Sequence, residues 1–313
     1  MTLLWIVLGA IALTVLLSYL AYRKTFYQNR KKPEDIYELP PKTPEAVVTR
    51  TRAMIRDLDA VEYEPVEIRS EDGLRLFARY YHVADGAPLH IEMHGYRSYA
   101  MRDFCGINTL ACAEGHNTLV VDQRAHGRSE GHTISFGIKE KRDCLLWVEY
   151  ACRRFGKNTP IFLSGVSMGA ATVLMATELP LPENVVGVLA DCPYSSPRAI
   201  IWRVAAKMGF PVALAYPFVV LGAFLFGGIT GMSGEGAIRA VKRSTVPILI
   251  LHGEDDCFVP CDMSREIAKV SPLVQLETFP AADHAMSYMT DYERYKQVSH
   301  TFVKDCLQRF QKQ

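Results

Sequence analysis

The run Pro160-Ile-Phe-Leu-Ser-Gly-Val-Ser-Met-Gly-Ala-Ala-Thr-Val-Leu-Met-Ala176 leaves little choice of local structure. Ile161, Phe162 and Leu163 form a short apolar stretch of the kind that makes a buried parallel strand. Gly165-Val166-Ser167-Met168-Gly169 then turns the chain, and Ala170 to Thr177 continues in good helix formers. Strand, sharp turn and helix together are the setting that a G-x-S-x-G nucleophile elbow requires. Such a turn strains the backbone at the serine and leaves almost no room two residues to either side. Gly165 and Gly169 supply that room, and Ala170 and Ala171 let the helix pack close behind. The five-residue pattern arises by chance in about one chain in ten of this length, so its placement carries more than its letters. The competing reading is a plain glycine turn with a solvated serine.

The rest of the chain supplies a sheet for that strand. Pro65 to Arg69 and Leu74 to Val83 alternate apolar with polar across the turn signal Asp72-Gly73, as an antiparallel hairpin does. Leu89 to Met93 is the next strand and ends in His94-Gly95-Tyr96; Asp103 to Gly115 reads as a helix. Strand and helix keep alternating through Thr118–Val121, Gly137–Arg154, the serine stretch, Val185–Ala190, Val246–Leu251 and Leu273–Phe279, and Tyr292–Phe310 closes as a helix. Repeated βα units behind a hairpin predict an α/β fold, a mostly parallel central sheet flanked by helices.

Two stretches fall outside this alternation. Leu3 to Tyr22 is 20 residues without a charge, long enough for ~30 Å of helix. A cleaved signal peptide has basic residues before a shorter apolar run, and here none precede it, so the segment is read as a single membrane anchor. The basic residues Arg23, Lys24, Arg30, Lys31 and Lys32 follow it, which orients the remainder toward the cytoplasm. Pro33 to Pro44 is a proline-rich polar linker, and Thr49 to Leu58 a short helix. Between Pro193 and Val241 the chain is apolar and aromatic and broken by Pro211, Pro217, Gly222 and Gly227-Gly228. Phe210 to Phe226 is uncharged throughout, but a second span there would separate later elements from Ser167, and a cap of short helices is the better account. The expected division is therefore 1–22 anchor, 23–60 juxtamembrane segment and linker, and 61–313 catalytic domain with 193–241 as cap.

A net charge of +1 gives no reason to expect a nucleic-acid partner. Eight cysteines lie scattered without paired metal spacing and read as small buried hydrophobes in a reducing compartment. Of nine histidines, only His284 sits directly beside a carboxylate, Asp283, so no metal and no cofactor is expected.

A serine hydroxyl needs a base, an orienting acid and donors for a developing oxyanion, each following a strand at the carboxyl edge of the sheet. The chain offers them in the order Ser, Asp, His. His252-Gly253-Glu254-Asp255-Asp256-Cys257-Phe258-Val259-Pro260 follows one strand, and Pro280-Ala281-Ala282-Asp283-His284-Ala285-Met286-Ser287-Tyr288 follows the last. With His94-Gly95, Asp122-x-Arg124-x-x-Gly127-x-Ser129 and Gly165-x-Ser167-x-Gly169, these motifs resemble the α/β-hydrolase family of serine hydrolases over about Pro65 to Phe310. In particular the chain is similar to the bacterial branch with an N-terminal membrane anchor and a His-Ala-x-Ser-Tyr motif after the last strand.

The resemblance implies Ser167 as nucleophile, His284 as base and Asp256 as the acid that orients it, with the backbone N–H groups of Tyr96 and Met168 as oxyanion hole. His94 and His252, each before a glycine at a strand end, are read as ordering loops, and Asp122, Arg124 and Ser129 as bracing a neighbouring loop. Ala282 stands where many members have glycine, which leaves the chemistry unaffected and the loop less flexible. The expected protein is a membrane-anchored esterase that takes a small-molecule ester with an apolar acyl group. A thioesterase, acyltransferase or peptidase on the same residues is the alternative, and a catalytically idle membrane scaffold the remote one.

Overall fold

The structure, a computed structural model, describes residues 1–29, 35–39, 43–232, 234 and 236–312. Of the basic flank, Arg30, Lys31 and Lys32 lie outside the described residues, as does much of the proline-rich stretch. The chain opens with α1 (Thr2–Thr25) and α2 (Glu45–Asp59). The hairpin β1 (Glu64–Arg69) and β2 (Arg75–Tyr81) follows, then β3 (Leu89–Met93), α3 (Ala100–Ala113), β4 (Asn117–Asp122) and α4 (Glu140–Phe155). Next come β5 (Ile161–Val166), α5 (Met168–Ala176) and β6 (Val185–Asp191). Three helices interrupt the alternation: α6 (Pro197–Lys207), α7 (Val212–Gly227) and α8 (Ala237–Val241). β7 (Ile248–Gly253), α9 (Cys261–Ala268), β8 (Val274–Phe279), the short α10 (Ser287–Thr290) and α11 (Tyr292–Phe310) complete the fold.

The strands form one sheet in the order β1-β2-β4-β3-β5-β6-β7-β8. β2 runs antiparallel to both neighbours, and from β4 to β8 every pairing is parallel. β3, β4, β5 and β7 are buried along their whole length, because helices cover both faces and leave no solvent side to alternate with. One face carries the largest cluster, with Trp147, Ile134, Val173 and Ile250. The other is split between Ile55, Tyr81 and Phe104 under α2 and α3, and Phe162, Leu249, Phe279 and Phe302 under α11. Parallel strands place all their carboxyl ends on one edge. The loops after β3, β5, β7 and β8 therefore gather the residues singled out above.

By length and composition α1 is able to cross a membrane, with a mean hydropathy of 2.4 over its most apolar stretch. Its end is not a free tether. Phe26 is fully buried, edge-on to Phe136, and its carbonyl accepts from the Ile134 N–H at 2.8 Å. Gln28 N–H donates to the His132 carbonyl at 2.8 Å, and the Tyr22 and Thr133 hydroxyls lie 2.7 Å apart. The sequence reading treats 23–60 as one juxtamembrane segment. Of its described residues, Phe26 belongs to the core and α2 packs on α3. Phe26→Ala is expected to destabilise the fold by about 3 kcal/mol through the cavity it leaves. A lowered denaturation midpoint in detergent would report this; an unchanged one would mean the segment merely lies on the surface.

The cap differs from the expected set of short helices. α7 runs 16 residues despite Pro217 within it, and the three-helix insertion that holds it leaves β6 and returns to the neighbouring β7. At ~1.5 Å per residue its ~24 Å falls short of a span.

Candidate active site

Ser167 sits between β5 and α5 with φ 55° and ψ −112°, a conformation that side-chain-bearing residues rarely adopt. Three constraints hold it there. Its N–H donates to the Asp191 carbonyl at 2.8 Å, tying the turn to the end of β6. A Cβ on Gly165 would overlap the Gly169 backbone, and one on Gly169 would overlap the Met93 carbonyl. Both glycines of the motif are therefore steric requirements of the turn.

His284 and Asp256 arrive from the loops after β8 and β7. His284 Nε2 lies 2.9 Å from the Ser167 hydroxyl, and its Nδ1 lies 2.6 Å from Asp256 Oδ2. Asp256 Oδ1 accepts the N–H groups of Phe258 and Val259, both at 2.8 Å. Burial pushes the Asp256 carboxyl up, but hydrogen bonds from His252 and His284 outweigh it and hold the group well below the usual carboxylate range. At neutral pH it is an anion aimed at the imidazole. Asp255, the adjacent carboxylate, is exposed.

His252 is fully buried, 2.6 Å from the Ser264 hydroxyl, 2.9 Å from the Val259 carbonyl and 3.2 Å from Asp256 Oδ2. It fixes the acid's loop, and it also bonds the acid itself, a contact the sequence reading did not anticipate. The spacing His252-x-x-x-Asp256 was the available signal. Gly253 leaves room for the Ala282 carbonyl, which a Cβ would overlap. Ala282 itself has no positive φ, whereas Ala281 (59°) and Ala285 (56°) on either side do, so alanine at 282 adds no strain.

The loop after β3 faces the serine: a Cβ on Gly95 would stand 3.5 Å from Ser167 Cβ. Gly95 N–H donates to Asp103 at 2.8 Å, and His94 spans its own loop and the next, with Nδ1 2.8 Å from the Gly95 carbonyl and Nε2 3.1 Å from Gln123 N. Among the described residues, neither Tyr96 nor Met168 donates its N–H to a protein group. Met168 opens α5, where N–H groups lack helical partners.

Asp122, Arg124 and Ser129 form the brace behind that loop. Arg124 grips Asp143 at 2.6 and 2.7 Å and Asp72 at 2.9 Å, and burial notwithstanding, this holds Asp72 down at about 2. Asp122 pairs with Arg79 at 3.0 Å, and Ser129 bonds the Asp122 carbonyl and, at 2.8 Å, the Phe77 N–H. His126 within the same turn accepts from Arg97 N at 3.0 Å, so the brace reaches the residue after Tyr96.

Cys192 and Asp191 adjoin these side chains. The Cys192 ligand atom falls within 4.8 Å of those of Asp256 and His284, but burial pushes its thiol well up and keeps it neutral. Burial likewise raises Asp191 to about 6, against opposing pulls from His252, Tyr295 and His284, and its Oδ1 has no partner. An acid whose folded pKa is raised binds its proton in the native state after the unfolded chain has lost it. Stability then falls as pH rises from ~4 to ~6 and stays lower above. Asp191→Asn never ionises, so it is expected to be more stable than the parent at pH 7.5, on the order of 2 kcal/mol, with the gain gone near pH 4. Melting both proteins at the two pH values checks this; a loss of stability at pH 7.5 would contradict it.

The chain belongs to the alpha/beta hydrolase family, whose model matches residues 86–298. Among curated proteins it is similar to the uncharacterised YqkD of Bacillus subtilis, 27% identical over 60% of this chain and 62% of that one. It therefore spans less than two thirds of that relative's length. It is also similar to a bifunctional esterase/perhydrolase of Acinetobacter calcoaceticus, 25% identical over 70% of this chain and 92% of that protein. Among solved structures, an esterase of Pyrococcus furiosus superposes with a TM-score of 0.66 at 24% identity, covering 89% of this chain and 98% of that one. At that identity the likeness speaks for the fold.

Proposed function

We propose that the protein is a membrane-anchored serine esterase that cleaves carboxylic esters of small molecules through an acyl-enzyme. The observation that carries this reading is the line of hydrogen bonds Asp256–His284–Ser167, at 2.6 and 2.9 Å, on a strained elbow. His284 takes the hydroxyl proton as Ser167 attacks the ester carbonyl. The oxyanion settles on the N–H groups of Tyr96 and Met168. His284 then hands its proton to the departing alkoxide, leaving an acyl-serine and an alcohol. Water, deprotonated by the same imidazole, attacks the acyl-serine and releases the acid. Asp256 holds the imidazole in the tautomer that presents Nε2 to the serine and offsets its transient charge. The esterase named among the relatives supports the ester over the thioester or amide.

The reading divides the chain into anchor 1–22, juxtamembrane segment 23–60 and catalytic domain 61–313 with its cap at 193–241. Retention of α1 rather than its removal as a signal is supported by the burial of Tyr22 and Phe26 within the hydrolase core. Arg23 and Lys24 after the span support a cytoplasmic catalytic domain. Turnover of p-nitrophenyl esters, acyl thioesters and aminoacyl amides in parallel tests the chemistry, with the ester expected to have the highest kcat/KM. Preferred turnover of either other class would move the protein to the alternative. A membrane-impermeant thiol reagent should leave exposed Cys257 unlabelled in intact cells; labelling there would reverse the orientation.

A further inference from the structure

α7 has two faces and both are apolar. Val212, Tyr216, Val219, Gly222, Ala223 and Gly227 turn inward and are buried. On the outer face Leu214, Phe224 and Leu225 are 72%, 58% and 48% exposed, and no residue of the helix bears a charge. A helix that is hydrophobic all round belongs in a protein core or in lipid, and here only one side meets protein.

What lies beside it indicates what covers the other. α7 packs on α1, the helix able to cross a membrane. Gly222 lies so close to the Ser18 carbonyl that a Cβ would overlap it, and the Phe226 ring meets Tyr19 at 5.2 Å and Tyr22 at 5.9 Å. At the point of closest approach α1 presents the small Ser18, whose hydroxyl is satisfied within its own helix, on the Thr14 carbonyl at 2.8 Å. Close approach over small residues is how helices pack in lipid. Ser18 stands four residues before Tyr22, the end of the uncharged run. At ~1.5 Å per residue that is a depth of ~6 Å, in the range to which interfacial helices sink.

The charges match. Residues 193–230 carry Arg198, Arg203 and Lys207 and no Asp or Glu, and Arg23 and Lys24 close α1. The Lys24 ammonium lies 5.0 Å from the Phe210 ring centre, and Arg198 5.6 Å from that of the half-exposed Trp202. Basic and aromatic side chains together are the composition of a membrane–water boundary.

We infer that α7 is seated in the leaflet that α1 passes through, its outer face among acyl chains and the basic residues of α6 at anionic headgroups. The inference rests on the anchor reading above. The cap is then part of the membrane contact, and Tyr96, whose hydroxyl donates to the Thr25 carbonyl at 2.8 Å, joins the loop facing Ser167 to that boundary.

The test uses the full chain in vesicles of phosphatidylcholine and phosphatidylglycerol with brominated acyl chains, which quench only an indole in contact with them. Bromine is placed near the glycerol in one preparation and near the terminal methyl in another. The emission difference between the parent and Trp5→Phe reports on α1. Leu225→Trp and Leu214→Trp, each added to Trp5→Phe, report on the outer face of α7. The added indoles are expected to lose at least half their emission with bromine near the glycerol, and less with bromine near the methyl. Quenching of Trp5 without quenching at either cap position overturns the inference, leaves the anchor standing, and gives the face to a second copy or another protein. Unquenched Trp5 removes the anchor and the inference with it.

Discussion

Ser167→Ala is expected to abolish labelling by a fluorophosphonate probe and to lower kcat/KM on a carboxylic ester by about 10⁴-fold or more. The size of the effect follows from what is lost. With no hydroxyl there is no acyl-enzyme, and only binding and the oxyanion donors remain. The fold should survive, because serine and alanine meet the same strain at φ 55° and the hydroxyl's partner, His284, is partly solvated. The elbow is held by backbone and by the two glycines, neither of which the change touches. Peptide mapping of the labelled parent by tandem mass spectrometry locates the adduct. An adduct on another serine, or ester turnover that persists in a folded variant, would remove Ser167 from the mechanism.

Asp256→Asn is expected to cost up to about 10⁴-fold in kcat. The amide can still accept from Phe258 and Val259 at Oδ1, so the loop keeps its backbone anchors. What changes is the atom facing the imidazole. An NH₂ group there donates where the carboxylate accepted, and His284 is driven to the tautomer that turns a donor toward Ser167. The same NH₂ faces His252 at 3.2 Å, a second contact that the variant disturbs. Asp255→Asn makes the comparison clean, since that residue shares the loop but is exposed, and a few-fold change is expected there. A larger loss from Asp255→Asn, or mild effects from both, would shift the role to Asp191, whose variant would then lose activity while gaining stability.

Most of the sheet could be read from the letters because its signal is local. Leu89–Met93 and Tyr292–Phe310 stand in the structure with the limits that apolar runs and helical spacing predict, and Asp72-Gly73 makes the hairpin turn its dipeptide specifies. The order of strands was not legible in this way. β3 crosses to lie between β4 and β5, a choice made by packing over the whole sheet and by no single residue. The cap was misjudged in length because Pro217 and the glycines read as breaks. In α7 the proline is absorbed, and Gly222 serves the approach to α1, a contact over 200 residues away in sequence that no window detects. The placement of Ser167, His284 and Asp256 within hydrogen-bonding reach was legible only through motif order, since His284 and Ser167 are 117 residues apart. The burial of Phe26 had no signal at all: an aromatic residue beyond an apolar run looks the same whether it faces lipid, water or a core.

With α1 as the proposed anchor, that buried phenylalanine determines how the hydrolase can search for its substrate. A hydrolase hung from a bilayer by a flexible leash of ~20 residues would sweep a radius of ~25 Å and sample the water above the membrane. Here the leash has zero length, because α1 ends at Thr25 and the next residue is already inside the domain. With α1 in a bilayer, the active-site mouth keeps one height and one tilt, and its only free travel is lateral diffusion. Its collisions are those of a two-dimensional fluid. The rate on a dissolved ester would then depend on how that molecule partitions into the surface, and the rate on a lipid-borne ester on its mole fraction there, more than on the volume of the surrounding solution.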